Sequence, residues 1–136
     1  MTTSPEEIKY CLESSFIIDL LKGKDNAVEF YEEIKDAPLT ITAIASVALF
    51  EILRGKEQNQ DKTRGFEELR QKMTVLSFGE KEAEEASQIE KAIHQKGRTI
   101  TSLDLFIGAT AKTNEAVLVS NDSDYQKIDG LQLRNY

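Results

Sequence analysis

The chain has 136 residues, of which 40% are hydrophobic and 30% are charged, and its formal net charge is −7. This length and apolar fraction are typical of one hydrophobic core, so we predict a single domain over residues 1–136. The acidic balance disfavours a broad basic surface for nucleic acid, although bound cations can reverse the charge of an acidic site. One cysteine and one histidine exclude an internal disulfide and the usual zinc-finger spacings.

The sequence has no pattern for export or membrane insertion. Residues 1–9 are polar and charged where a signal peptide needs an apolar run. No apolar stretch approaches the roughly 20 residues of a membrane span. We therefore expect a cytoplasmic protein that does not enter the membrane.

The first half of the chain alternates between strand-like and helix-like segments. In chain order, we predict a strand at Ile8–Leu12, helices at Ser15–Leu21 and Ala27–Ile34, a strand at Leu39–Ile44, and a helix at Ser46–Arg54. Gly23 can end the first of these helices, because glycine readily adopts the left-handed conformation that follows a helix.

The second half continues the same alternation. In chain order, we predict a helix at Phe66–Met73, a strand at Thr74–Phe78, helices at Glu80–Gln95 and Ser102–Thr113, and strands at Ala116–Ser120 and Leu131–Arg134. The helix Ser102–Thr113 is almost wholly apolar, so we expect it to be buried. Val-Leu-Val at 117–119 is typical of a strand buried on both faces.

Strands that alternate with helices favour an α/β fold with a mainly parallel sheet of about five strands, flanked by helices. In open parallel sheets, binding sites form just beyond the carboxyl ends of the strands. We therefore expect functional residues to follow the strands directly.

Four of the 24 acidic residues have unusual surroundings. Glu13 directly follows the first predicted strand, and Asp122 directly follows the fourth. Glu51 and Asp104 are each the one charged residue within a long apolar stretch of the chain. A carboxylate in apolar surroundings costs several kcal/mol unless it is paired, protonated or bound to a metal.

Carboxylates that converge without histidine or cysteine suit Mg²⁺ or Mn²⁺. Such ions activate water and stabilise the charge that develops on an attacked phosphodiester. Each acid also has a purely structural interpretation. These are an ion pair of Glu51 with Arg54, a capping box of Asp104 with Thr101, a turn or cap role for Asp122 and Asp124, and an ordinary loop position for Glu13.

Four segments carry short motifs in a fixed order. They are Leu-Glu-Ser-Ser-Phe-Ile-Ile-Asp-Leu-Leu-Lys-Gly at 12–23, Ser-Val-Ala-Leu-Phe-Glu-Ile-Leu-Arg-Gly at 46–55, Leu-Asp-Leu-Phe-Ile-Gly-Ala-Thr-Ala at 103–111, and Leu-Val-Ser-Asn-Asp-Ser-Asp-Tyr at 118–125. Together they resemble the PIN-domain family, in particular the VapC-type toxins of prokaryotic toxin–antitoxin pairs. The resemblance covers almost the whole chain. The last segment is close to the family's Leu-Val-Thr-x-Asp-x-Asp-Phe.

This resemblance implies a PIN-like three-layer sandwich and metal-dependent hydrolysis of RNA phosphodiester bonds. By position in the motifs, the catalytic acids would be Glu13, Glu51, Asp104 and Asp122. The same four would hold Mg²⁺ or Mn²⁺, with Asp124 as an auxiliary ligand or a structural cap. Ser14 or Ser15 matches the small hydroxyl residue near the family's site, and Ser120 matches the hydroxyl before the last acidic cluster. From this resemblance we expect Ser14, Ser15 and Ser120 to bind the substrate together with Arg54.

One position departs from the family pattern. The first acid of the family is normally Asp, and here it is Glu13. The side chain is longer by one carbon–carbon bond, about 1.5 Å. Catalytic metal geometry tolerates little misplacement. The alternative function is therefore a catalytically weakened or inactive PIN-fold binding module.

The family resemblance also implies partners. They would be an RNA substrate, a VapB-like antitoxin that inserts a basic side chain into the acidic site, and a second copy in a homodimer. We expect the basic residues Lys22, Lys24, Arg54 and Lys56 either to rim the site and position RNA or to be solvated helix ends. A phosphorylated receiver domain is disfavoured, because Ser14 stands where that family has a second acid.

Overall fold

The computed structural model describes residues 7–55 and 60–136. The elements in chain order are β1 (Ile8–Leu12), α1 (Ser14–Leu21), α2 (Asp25–Ile34), β2 (Thr40–Ala45), α3 (Ser46–Arg54), α4 (Gln60–Arg70), β3 (Thr74–Leu76), α5 (Glu80–Gln95), α6 (Ser102–Thr113), β4 (Val117–Val119), a 3₁₀ segment (Ser123–Lys127) and β5 (Gln132–Arg134). The predicted alternation of strands and helices is confirmed.

The five strands form one sheet in the order β3-β2-β1-β4-β5, and every neighbouring pair is parallel. The predicted α/β class and five-stranded parallel sheet are therefore confirmed. After β1, the chain continues to β2, which lies on one side of β1 in the sheet. After β4, it continues to β5, which lies on the opposite side of the sheet. The carboxyl ends of β1 and β4 thus flank a topological switch point, where open α/β sheets form their binding crevice.

The core lies between the sheet and the apolar faces of the helices. Helix α6 is buried as predicted, with Leu105, Ile107 and the residues up to Ala111 in the interior. Cys11 is completely buried, and burial raises its thiol pKa to about 12, so it is a core residue. Gly23 follows α1 with a positive φ of 75°, which confirms it as the residue that ends this helix.

Helix α6 packs closely against the segment that follows the 3₁₀ turn. A Cβ atom at Gly108 would collide with Cδ1 of Ile128, so any larger residue would force the Ile128 side chain to shift. Asp104 lies one turn before Gly108 on the same helix. The close packing therefore sets the distance between Asp104 and the loop after β4.

The predicted bounds of α4 and β3 are wrong, whereas the bounds of the other elements differ from prediction by two residues or fewer. Helix α4 runs from Gln60 to Arg70 rather than from Phe66 to Met73. The first half of α4 is polar and lacks the apolar periodicity that predicts a helix, but its Gln, Lys and Arg residues are good helix formers. The helix stops early because a tight turn places the buried Met73 directly before β3.

Strand β3 ends at Leu76 rather than Phe78. Phe78 instead packs against Phe106 of α6, with ring centroids 4.6 Å apart. Within residues 7–55 and 60–136, the helices are too short or too polar to span a bilayer.

Candidate active site

The carboxyl ends of β1 and β4 bring the first and last predicted acids to the same edge of the sheet. Leu12 pairs with Val119, and the Glu13 N–H donates to the Val119 carbonyl oxygen at 3.2 Å. Glu13 and Ser120 consequently leave neighbouring strands side by side. The parallel register thus explains how residues 107 positions apart come into contact.

Glu13 is buried, with 4% of its surface exposed, and it caps the N-terminus of α1. Its carboxylate accepts the Ser15 N–H at 3.0 Å and the Ser120 hydroxyl at 3.3 Å. Burial raises the pKa of Glu13 to about 7 despite these hydrogen bonds, and the charge of Asp104 adds to the rise. The interpretation of Glu13 as an ordinary loop acid is therefore wrong.

Asp104, Asp122 and Asp124 form a tight group, in which one carboxylate oxygen from each lies within 4.8 Å of the others. Asp122 also caps the 3₁₀ segment, because its Oδ1 accepts the Asp124 N–H at 2.9 Å. The Asp122 N–H donates to the Ser120 hydroxyl at 3.0 Å. Asp124 pairs with Lys127 at 3.0 Å. The predicted cap role of Asp122 is therefore confirmed, and it coexists with membership of the acidic group.

Asp104 lies in the first turn of α6. Thr101 caps this helix by accepting the Asp104 N–H at 3.4 Å, as predicted. The Asp104 carboxylate is engaged elsewhere, because its Oδ1 accepts the Tyr125 hydroxyl at 3.1 Å. Of the two hydrogen bonds of the predicted capping box, the described chain therefore has the one that Thr101 accepts and lacks the one that the Asp104 carboxylate would accept from the Thr101 N–H.

Glu51, on α3, accepts the Ser14 hydroxyl at 2.7 Å. The proposed ion pair with Arg54 is wrong: among the described ion pairs it does not occur, and the guanidinium of Arg54 lies over the Phe50 ring at 5.1 Å. Ser14 directly follows Glu13, so Glu51 is connected to the end of β1. Glu13 and Glu51 lie outside the tight group of three aspartates but border it.

Tyr125 is a site residue that the sequence analysis did not single out. Its side chain is completely buried between α6 and the loop that carries Asp122. Burial raises the pKa of its phenol well above the ordinary range, and three carboxylates raise it further: Glu13, Asp104 and Glu51. The family motif has phenylalanine at this position. The tyrosine in its place is the sequence feature that could have identified Tyr125 as a site residue.

A second tyrosine, Tyr136, connects α1 with the loop after β4. The Tyr136 N–H donates to Asn121 Oδ1 at 2.8 Å, and Asn121 Nδ2 donates to the Tyr136 carbonyl oxygen at 3.0 Å. The Tyr136 hydroxyl donates to Asp19 of α1 at 2.6 Å, and its ring packs edge-on against Phe16. Tyr136 therefore ties α1 to the residue that precedes Asp122.

The basic residues expected at the rim are exposed or already paired. Lys24 forms an ion pair with Asp19 at 3.1 Å, and Lys22 and Arg54 are exposed. Lys56 lies outside the described residues. A role of these side chains in positioning RNA stays a prediction.

The donor set fits a hard divalent cation. The three clustered residues offer carboxylate oxygens, and among the residues described no histidine or cysteine joins them. Oxygen donors of this kind match the preferences of Mg²⁺ and Mn²⁺.

Relatives of the chain have the same length and the same fold. Two proteins of Haemophilus influenzae, named ribonuclease VapC2 and ribonuclease VapC, are each 22% identical over 133 residues, which is 95% of this chain and 98% of theirs. The solved structure of VapBC2 from Rickettsia felis bound to a promoter DNA fragment is similar with a TM-score of 0.83 and 22% identity, over 95% of this chain and 99% of that one. The solved structure of VapBC-1 from nontypeable Haemophilus influenzae is similar with a TM-score of 0.81 and 24% identity, over 94% of this chain and 98% of that one.

The amino-acid sequence also matches the model of a protein family. The family model of the PIN domain matches residues 10–131, a span that contains the four motif segments from residue 12 to residue 125 and every residue of the acidic group. The chain therefore belongs to the PIN-domain family.

Proposed function

We propose that this chain is a metal-dependent endoribonuclease that hydrolyses RNA phosphodiester bonds, and that it is the toxin of a toxin–antitoxin pair. The observation that carries the proposal is the group of Asp104, Asp122 and Asp124, whose oxygens lie within 4.8 Å of one another. This group lies beside the buried Glu13 at the switch point of a PIN fold. Full-length relatives of the chain are named ribonucleases.

The three aspartates would hold Mg²⁺ or Mn²⁺, and Glu13 and Glu51 would complete the acidic pocket. The bound ion would activate water and stabilise the charge of the attacked phosphodiester. Glu13 has a pKa of about 7, so its carboxylate can accept a proton near neutral pH. No protein side chain is needed as a covalent nucleophile.

The residues predicted to bind the substrate divide into two groups with different proposed roles. Ser14 and Ser120 donate to Glu51 and Glu13, so we assign them to holding the acids in place. Ser15 and Arg54 are exposed, and we assign them to binding the RNA backbone. Arginine suits this role because its guanidinium binds phosphate through paired hydrogen bonds.

A VapB-like antitoxin is the partner that we propose. An acidic pocket in a chain of net charge −7 is complementary to a basic side chain of such a partner. The similar solved structures are VapBC complexes. We also propose that the chain forms a homodimer and acts in the cytoplasm.

Cleavage of a labelled RNA by the purified chain, freed of any partner, tests the function. We expect cleavage with MnCl₂ or MgCl₂, loss of cleavage with EDTA, and a loss of about 100-fold or more in Asp104→Asn. Asp129→Asn is the matched control, because Asp129 is exposed and paired with Lys96 outside the acidic group. Cleavage that survives both EDTA and Asp104→Asn would contradict the proposal, as would the absence of cleavage of any RNA.

A further inference from the structure

Tyr125 contacts the acidic group from the protein interior. Its side chain is completely buried, and a buried phenol hydroxyl needs a hydrogen-bond partner. The hydroxyl donates to Asp104 Oδ1 at 3.1 Å. Its ring lies 3.7 Å from the position of a Cβ at Gly108, so it packs along α6 between Asp104 and the following turn.

The phenol is held as a neutral donor. A phenol hydroxyl carries a proton to donate, whereas an ionised carboxylate can only accept a hydrogen bond. A hydroxyl that lies among carboxylates is therefore the donor in any hydrogen bond that it forms with one of their oxygens. The contact with Asp104 therefore has a fixed direction, from the Tyr125 hydroxyl to the carboxylate oxygen.

We propose that Tyr125 is a positioning residue that holds the Asp104 carboxylate in the orientation in which it faces Asp122 and Asp124. This inference rests on the proposed metal-dependent function. Three carboxylates with oxygens within 4.8 Å repel one another when no cation is bound, and an unrestrained Asp104 could rotate away. A hydrogen bond to one oxygen opposes that rotation, and residues that orient metal ligands in this way commonly affect metal affinity.

Phenylalanine tests the hydroxyl alone, because it keeps the ring that fills the interior. It is also the residue of the family motif at this position, so the hydroxyl is a feature of this chain. Tyr136→Phe is the matched control. It removes the same kind of bond, from a phenol to Asp19 at 2.6 Å, at a carboxylate outside the acidic group, and it leaves the backbone bonds of Tyr136 to Asn121 in place.

The experiment is a calorimetric titration of MnCl₂ into the purified, partner-free full chain and the two variants. We expect Tyr125→Phe to weaken Mn²⁺ binding about tenfold and Tyr136→Phe to change it less than about twofold. Melting curves in EDTA check that each variant folds. In the cleavage assay, Tyr125→Phe should need about tenfold more Mn²⁺ for half-maximal rate while the rate at saturating Mn²⁺ stays close to that of the unmodified chain.

The outcomes separate the inference from the function on which it rests. If the unmodified chain binds Mn²⁺ and Tyr125→Phe binds it equally well, the inference is overturned and the proposed function stands. Equal weakening by Tyr136→Phe also overturns the inference, because the cause is then a general loosening of the fold. If the unmodified chain binds no Mn²⁺, both are overturned.

Discussion

The hydroxyl of Ser120 donates to Oε2 of Glu13 at 3.3 Å and accepts the N–H of Asp122 at 3.0 Å. One buried side chain thereby connects the acid that follows β1 to the acid that follows β4. Ser120 itself is 1% exposed, so water cannot easily replace the bonds that it makes.

Ser120→Ala should therefore weaken both the fold and the site. We expect a loss of about 1–3 kcal/mol in the free energy of unfolding, because the Glu13 oxygen and the Asp122 N–H lose a buried partner. We also expect slower Mn²⁺-dependent cleavage. Urea denaturation and the RNA assay measure the two effects, with Ser87→Ala on the exposed face of α5 as the control. Equal stability of the two variants would contradict this role of Ser120.

Glu13→Asp tests the departure from the family pattern. Aspartate is a strong helix N-cap, so it can keep the bond to the Ser15 N–H while its carboxylate retreats by about 1.5 Å. If the length of Glu13 limits catalysis, the variant should cleave RNA several-fold faster at saturating Mn²⁺. Glu13→Gln, which keeps the length and removes the charge, should cleave more slowly. A chain that stays inactive as Glu13→Asp would favour the binding module over the enzyme.

The pKa of Glu13 predicts how stability depends on pH in the absence of metal. Its ordinary value of 4.5 rises to about 7 in the folded chain, so the folded state holds this proton more tightly than the unfolded state. The resulting stability is fully present below pH 4.5 and is lost as the pH rises to about 7. At about 1.4 kcal/mol per pKa unit, the loss is at most about 3.5 kcal/mol.

Urea denaturation in EDTA at pH 5 and pH 8 measures this effect. The unmodified chain should lose more stability between the two values than Glu13→Gln, which has no proton to release. The other acids titrate in both proteins and cancel in the comparison. Parallel curves for the two proteins would show that the Glu13 pKa is not raised.

The contact between Gly108 and Ile128 predicts a double-mutant result. Gly108→Ala should destabilise the fold by about 1–3 kcal/mol, because the new Cβ collides with Cδ1 of Ile128. Ile128→Val removes that atom and alone should cost about 1 kcal/mol. The two changes together should therefore cost less than the sum of their separate costs, as thermal melts can measure. Additive costs would mean that Ile128 moves aside without strain.

The fold could be predicted from the sequence because its strands are short apolar runs and its long helices are periodic. Glu13 and Asp122 could be located because Glu13 directly follows β1 and Asp122 lies three residues after the end of β4. The contact of Asp104 with Asp122 could not, because it depends on the packing of α6 at Gly108. Tyr125 was missed because an aromatic residue after an acidic motif reads as ordinary core.

The residues of the acidic pocket come from distant parts of the polypeptide, so the pocket can form only after all of these parts have been synthesised on the ribosome. When the first 113 residues exist, Glu13, Glu51 and Asp104 have been made, but β4 and the 3₁₀ segment that position Asp122 and Asp124 have not. A growing chain of that length lacks two of the three clustered aspartates. If the chain is a toxic nuclease, the nascent polypeptide therefore cannot assemble the acidic group until the residues that follow β4 have been made.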